Sequence, residues 1–123
     1  MRMAVSVGKK DLSGLVDDRF GRCPYFMLCD SEDVEGTAEW KDNPALASTG
    51  GAGIAAGEFL DREKVKVLIT GSLGPNALRV VQASGVSAFS APGSMTVLES
   101  VRAWATGTLP AITAAGQAHA GER

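Results

Sequence analysis

Met3, Val5 and Val7 alternate with Ala4, Ser6 and Gly8, the period-two pattern of a strand. Residues 9–20 are polar and contain glycine, which reads as a loop. Tyr25 to Asp30 predicts a second strand, apolar on both faces, and the acidic run Ser31 to Gly36 is a hairpin signal. Thr37 to Lys41 then reads as a short third strand, with Trp40 on its half-buried face and Asn43-Pro44 as its stop. After Gly50 and Gly51 the rhythm changes. A helix is expected over Ala52 to Arg62, where Ile54, Phe59 and Leu60 are the larger apolar residues and Ala55, Ala56 and Gly57 allow close packing. Val65 to Thr70 is nearly continuously apolar, as a strand covered on both faces should be. Gly71 to Gly74 turns into a second helix with Pro75 at its first position, Leu78 and Val81 on its buried stripe, and Gly85 as its left-handed cap. Val86 to Ser90 is a fifth strand. Thr96-Val97-Leu98-Glu99 fits a capping box, and Val97, Val101 and Trp104 give one face to a third helix that ends at Gly107.

The order β-β-β-α-β-α-β-α predicts an α/β fold with one mixed five-stranded sheet flanked by helices. Strands joined by short connections are antiparallel, and those alternating with helices are joined by right-handed parallel crossovers. One domain is expected over residues 1–108. The Ala/Gly-rich stretch 109–123 lacks periodicity and is expected to be a disordered tail.

Composition narrows the chemistry. The chain has 123 residues, 12 Lys and Arg against 14 Asp and Glu, and a formal net charge of −2. That balance leaves no electrostatic footprint for nucleic acid or an anionic membrane. No leader or membrane-span pattern is evident, so a cytoplasmic protein is expected, with free thiols. Two Cys and one His exclude a closed Cys/His zinc site within one chain and a disulfide-stapled scaffold. Fifteen glycines are many for this length.

Three stretches can carry chemistry. The first holds Arg19, Phe20, Gly21, Arg22 and Cys23 in the loop that enters the second strand. Arginine brings a permanent charge and a planar fork of donors for anions, and nearby cations favour a thiolate, the form that ligates soft metals. The alternative is a surface loop whose arginines pair with Asp17 and Asp18. The second stretch, Thr49, Gly50, Gly51, Ala52 and Gly53, opens a helix whose free N–H groups suit an anion. It lacks the Lys of a phosphate-binding P-loop and misses the dinucleotide glycine spacing. The third, Gly71, Ser72, Gly74 and Asn76, opens a helix at the C-terminal end of a parallel strand, the edge where open α/β sheets bind ligands. The three stretches are expected to converge on one anionic ligand.

Several activities lose ground. A nuclease of ribonuclease H type needs metal-binding carboxylates on the first strand, and Met3 to Val7 carries none. A Cys-His nucleophile lacks its base, since His119 falls in the expected tail. Phosphatase-like spacing fails, because neither cysteine is followed six residues later by Arg. Cys29, on the same strand face as Met27, reads as a buried core thiol.

The blocks Phe20 to Phe26, Asn43-Pro44, Gly50 to Ile54 and Gly71 to Ala77 stand in an order and spacing that resembles the dinitrogenase iron-molybdenum cofactor-binding family, of NifX and NifB type. The resemblance implies a ribonuclease H-like fold without the nuclease residues. It also implies an anionic metal–sulfur cluster carried noncovalently by a protein that is not an enzyme, with a cluster-assembly or acceptor protein as a partner. Many relatives place His where this chain has Arg19, and in the loop where it has Leu46 to Thr49. The departures favour the branch similar to the orange-protein carriers of molybdenum–copper sulfide clusters over an iron–molybdenum cargo. Arg19, Arg22 and backbone amides are then expected to hold the cluster, with Cys23 as a soft neighbour for copper. The alternatives are a small-anion or nucleotide-binding regulatory module and a protein-interaction adaptor in cluster assembly.

Overall fold

The computed structural model describes residues 1–116. The strands are β1 (Arg2–Val7), β2 (Tyr25–Asp30), β3 (Glu39–Asp42), β4 (Val67–Thr70) and β5 (Ser87–Ser90). The helices are α1 (Val34–Thr37), α2 (Ala52–Arg62), α3 (Pro75–Ala83) and α4 (Val97–Ala105), with a 3₁₀ turn at Pro44–Ala47. The sheet order is β3-β2-β1-β4-β5. β1 pairs antiparallel with β2 and parallel with β4, β2 pairs antiparallel with β3, and β4 pairs parallel with β5. This is the expected mixed five-stranded sheet of ribonuclease H-like order.

Strand alternation divides the core in two. Ala4, Phe26, Leu28 and Leu68 face the α2/α3 layer, where they meet Phe59, Leu60, Leu78 and Val81. Met3, Val5, Val7, Met27, Cys29 and Ile69 face the other side, where Val97 and Val101 of α4 cover them. Cys29 is thus the core thiol that its spacing implies. Among the described residues, no helix is long and apolar enough to cross a membrane.

Two expectations change. The acidic run after β2 does join it to its antiparallel neighbour β3, as a hairpin should, but through the one-turn helix α1 and not a tight turn. The Asp33 carboxylate accepts from the Gly36 N–H at 3.1 Å and closes the turn, so β3 starts at Glu39. The second change lies at the C-terminal end. Of residues 109–116, expected in a disordered tail, 110–112 run along the outer edge of β5. The Ser90 N–H donates to the Pro110 carbonyl and the Ile112 N–H to the Ala88 carbonyl, each at 2.8 Å. Leu109 and Ile112 are 9% and 4% exposed and enter opposite layers of the core. Burial of these two side chains and pairing of an open sheet edge hold the segment. The rest of the expected tail, His119 included, lies outside the described residues.

Candidate functional site

The loop after β1, the start of α2 and the turn after β4 all lie at the C-terminal edge of the parallel strands. They border an open cavity of about 560 Å³. Arg19, Phe20, Gly21 and Arg22 form one wall; Gly51, Ala52 and Gly53 form the second; Ser72, Gly74 and Asn76 form the third. These are the three stretches expected to converge. Asp18, Ile54, Pro75 and Ala77 complete the lining.

Close backbone approach joins the walls. A Cβ on Gly53 would lie 2.8 Å from the Ala77 Cβ, so a larger residue there would separate the starts of α2 and α3. A Cβ on Gly71 would lie 2.3 Å from the Asp18 Cβ and 2.6 Å from its carbonyl oxygen. Gly71 is buried and lets the Asp18 backbone pass, which allows Arg19 and Ser72 to bridge. It builds the site without lining it. Thr49 and Gly50 are exposed on the approach to α2 and also lie outside the lining.

Both helices that open on the cavity begin with glycine, and neither N-cap offers a side chain to the first turn. Gly51 sits at φ +66°, the left-handed region that favours glycine. The first intrahelical bonds join the Ala55 N–H to the Gly51 carbonyl and the Leu78 N–H to the Gly74 carbonyl. By helix geometry, the amides of Ala52, Gly53, Ile54, Asn76 and Ala77 precede the ladder. They lie at the positive ends of two helix dipoles, with Pro75 contributing no N–H.

The charges around the opening differ in their freedom. Arg19 is clamped by Asp17, with Nε 3.0 Å from Oδ1 and Nη2 2.7 Å from Oδ2. These bonds hold the Asp17 carboxyl below the usual carboxylate range, against a partial burial that pushes it up. Arg22 is exposed and makes no ion pair among the described residues. Asp18 opposes part of this positive charge. Asp17 and Asp18 thus balance the two guanidiniums in formal charge, and oriented amides supply much of the lining's attraction for an anion.

Cys23 departs from the expectation. It is fully buried, lies outside the cavity lining, and packs with Phe20 and Phe26. Its Sγ donates to the Phe20 carbonyl at 3.5 Å. Burial, and then the Asp17 charge, push the thiol up to about 12, although a hydrogen bond from Asn43 opposes them. The loop turns so that Arg19 and Arg22 face water while Phe20 and Cys23 face the core. Cys23 is a core thiol whose burial disfavours the thiolate, and its position does not offer the soft ligand that the sequence suggested. Among the described residues, no group of three or more His, Cys, Asp or Glu side chains could hold a metal ion.

Asn43 has a role that its reading as a strand stop missed. It is 3% exposed, and its Nδ2 donates to the Phe20 and Cys23 carbonyls at 3.2 and 3.0 Å. Its Oδ1 accepts from the Ala45 N–H at 3.0 Å, which ties the arginine loop to the 3₁₀ turn before α2.

No match was found among curated protein sequences. The orange protein of Desulfovibrio gigas, solved in its apo form, superimposes with a TM-score of 0.87 at 34% identity, over 94% of this chain and 96% of that one. A NifB-like protein from Thermotoga superimposes with a TM-score of 0.79 at 33% identity, over 94% of this chain and 97% of that one. The sequence profile described as dinitrogenase iron-molybdenum cofactor matches residues 1–107, a span that contains all three cavity walls and the Asn43 tie. With family profile, identity and topology in agreement, the chain belongs to the dinitrogenase iron-molybdenum cofactor family.

Proposed function

We propose that this protein is a noncovalent carrier of a compact anionic metal–sulfur cluster, molybdenum-containing and of the molybdenum–copper sulfide type. The family and its structural neighbours point to the coarser role of binding or carrying a metal cluster. The observation that carries the reading is the cavity where two glycine-capped helix starts meet the exposed Arg22. A preformed anion fits this donor set. It needs hydrogen-bond donors and positive charge, and the cavity offers amides, Arg22 and the exposed face of Arg19. A bare cation that needs protein ligands does not fit it. In this reading, Arg19, Phe20, Gly21, Arg22, Gly51, Ala52, Gly53, Ser72, Gly74 and Asn76 form the binding surface. The role is carriage, with delivery to a cluster-assembly or acceptor protein.

Tetrathiomolybdate, added with and without cuprous ion, should produce a charge-transfer-absorbing species that co-elutes with the protein on gel filtration. Separate elution of protein and colour sinks the proposal. Phosphate and nucleotides serve as competing anions, because helix starts accept phosphate as well. Displacement by these at lower concentration than thiometallate would replace the carrier with the regulatory-module reading.

A further inference from the structure

Three hydroxyl side chains stand in register beneath the cavity. Thr70 of β4 pairs with Ser90 of β5, and the Ser6 hydroxyl of β1 lies 2.8 Å from that of Thr70. Their exposures are 0% for Ser6 and Thr70 and 3% for Ser90. Two residues earlier on each strand, the same face carries Ala4, Leu68 and Ala88, all in the apolar layer under α2 and α3. Buried parallel strands are normally apolar throughout, and a hydroxyl placed there needs a partner. Each of these hydroxyls has one. Ser6 donates to the Asp17 carbonyl, and Ser90 donates to the Gly71 carbonyl at 2.7 Å. Ser6 has a single hydroxyl proton. With that proton on Asp17, the Thr70 hydroxyl donates to Ser6 Oγ and holds its rotamer.

The two carbonyls belong to the two segments that meet at the cavity. Asp17 and Asp18 lead into the arginine arm, and Gly71 leads into the turn before α3. The Asp18 backbone rests on Gly71, and Arg19 bridges Ser72 immediately beyond.

We propose that the Ser6–Thr70–Ser90 row sets the position of the Arg19–Arg22 arm against the Ser72–Asn76 turn, and through that spacing the affinity of the cavity for its anion. None of the three lines the cavity, so they are positioning residues. The affinity half of the proposal rests on the carrier reading, and the geometric half does not.

The test uses Thr70→Val, which keeps the side-chain shape and removes the hydroxyl, and Thr70→Ser, which keeps the hydroxyl. Ser100→Ala is the control. Ser100 is 0% exposed and donates to the Val97 carbonyl within α4, on the other face of the sheet. Amide hydrogen exchange is followed over residues 17–22 and 71–74, together with the affinity for tetrathiomolybdate plus cuprous ion. Thr70→Val should speed exchange in those two segments and weaken the probe about five- to tenfold, the size expected for one lost hydrogen bond. Thr70→Ser should restore both, and Ser100→Ala should change neither. Wild-type exchange in both segments of Thr70→Val overturns the proposal, as does the same change in Ser100→Ala. If Thr70→Val fails to fold, Ser6→Ala replaces it with the same expected outcomes. Faster exchange with unchanged affinity overturns the affinity half. Faster exchange in a protein whose wild type binds no probe overturns the carrier reading and leaves the geometric half standing.

Discussion

Helix α4 and the pair α2/α3 begin in opposite ways. At α4, the Thr96 hydroxyl accepts from the Glu99 N–H at 3.1 Å, and the Glu99 carboxylate accepts from the Thr96 N–H at 2.8 Å. This reciprocal box satisfies the helix start from within and places a negative charge at its positive end. At α2 and α3, glycine stands in the capping position and contributes no oxygen. A box like that of α4 stabilises a helix by about 1 kcal/mol, and the glycine starts forgo part of that gain. The difference separates a helix that serves only the core from two helices whose first turns stay available to a ligand.

Four substitutions probe that contrast. Gly71→Ala should destabilise the fold by roughly 3 kcal/mol, the upper part of the overpacking range, because its Cβ meets backbone. It should abolish anion binding as well. Urea unfolding and probe titration read the two effects, and a near-native midpoint would show that the Asp18 and Gly71 segments separate easily. Arg22→Ala should leave stability unchanged and weaken thiometallate binding by about 2 kcal/mol, roughly thirtyfold, the value of a charge-assisted hydrogen bond. An unchanged affinity in isothermal titration would assign the attraction to the amides alone. Thr96→Ala should cost about 1 kcal/mol in thermal or urea unfolding and leave the probe affinity untouched. Lost affinity there would couple α4 to the cavity and erase the division between the helices. Gly74→Asp should convert α3 to the α4 arrangement. No atom lies within 4 Å of a Cβ built at this position, and φ is −70°, so the side chain fits and can cap. Stability should rise by a few tenths of a kcal/mol while anion affinity falls, because the new carboxylate occupies the amides. A gain in both would show that the ligand does not use the α3 start.

Much of this arrangement was legible in the chain. The glycine pairs, Pro75 and the Thr96-to-Glu99 box are local signals, and α2, α3 and α4 begin where those signals stand. The convergence of the three stretches followed from topology, since loops at one edge of a parallel sheet meet. Cys23 lies apart from the cavity because adjacency in sequence is not adjacency in space. Two arginines next to a thiol suggest a thiolate, but in this turn each arginine faces water and the residue after it, Phe20 or Cys23, faces the core. The spacing of Phe20, Cys23 and Phe26 is the sign of the core face, for all three lie in one buried cluster and the two rings meet at 5.6 Å. Helix α1 escaped for a different reason, because four residues are too short to express a helical period. The segment 109–116 was hidden by its alanines and glycines, among which only Leu109 and Ile112 carry the core.

That segment has a consequence of its own. The family profile stops at residue 107, yet the Gly116 N–H donates to the carbonyl of Leu73, which sits between the lining residues Ser72 and Gly74. A chain cut back to the profile would keep every lining residue and lose the outside brace of that turn. It would also leave the backbone of Ser87–Ser90 unpaired on one side, an open template for a strand from another molecule. The selvedge that keeps the sheet from joining its neighbour is thus the same length of chain that steadies one wall of the cavity, so solubility and cargo retention are expected to fail together.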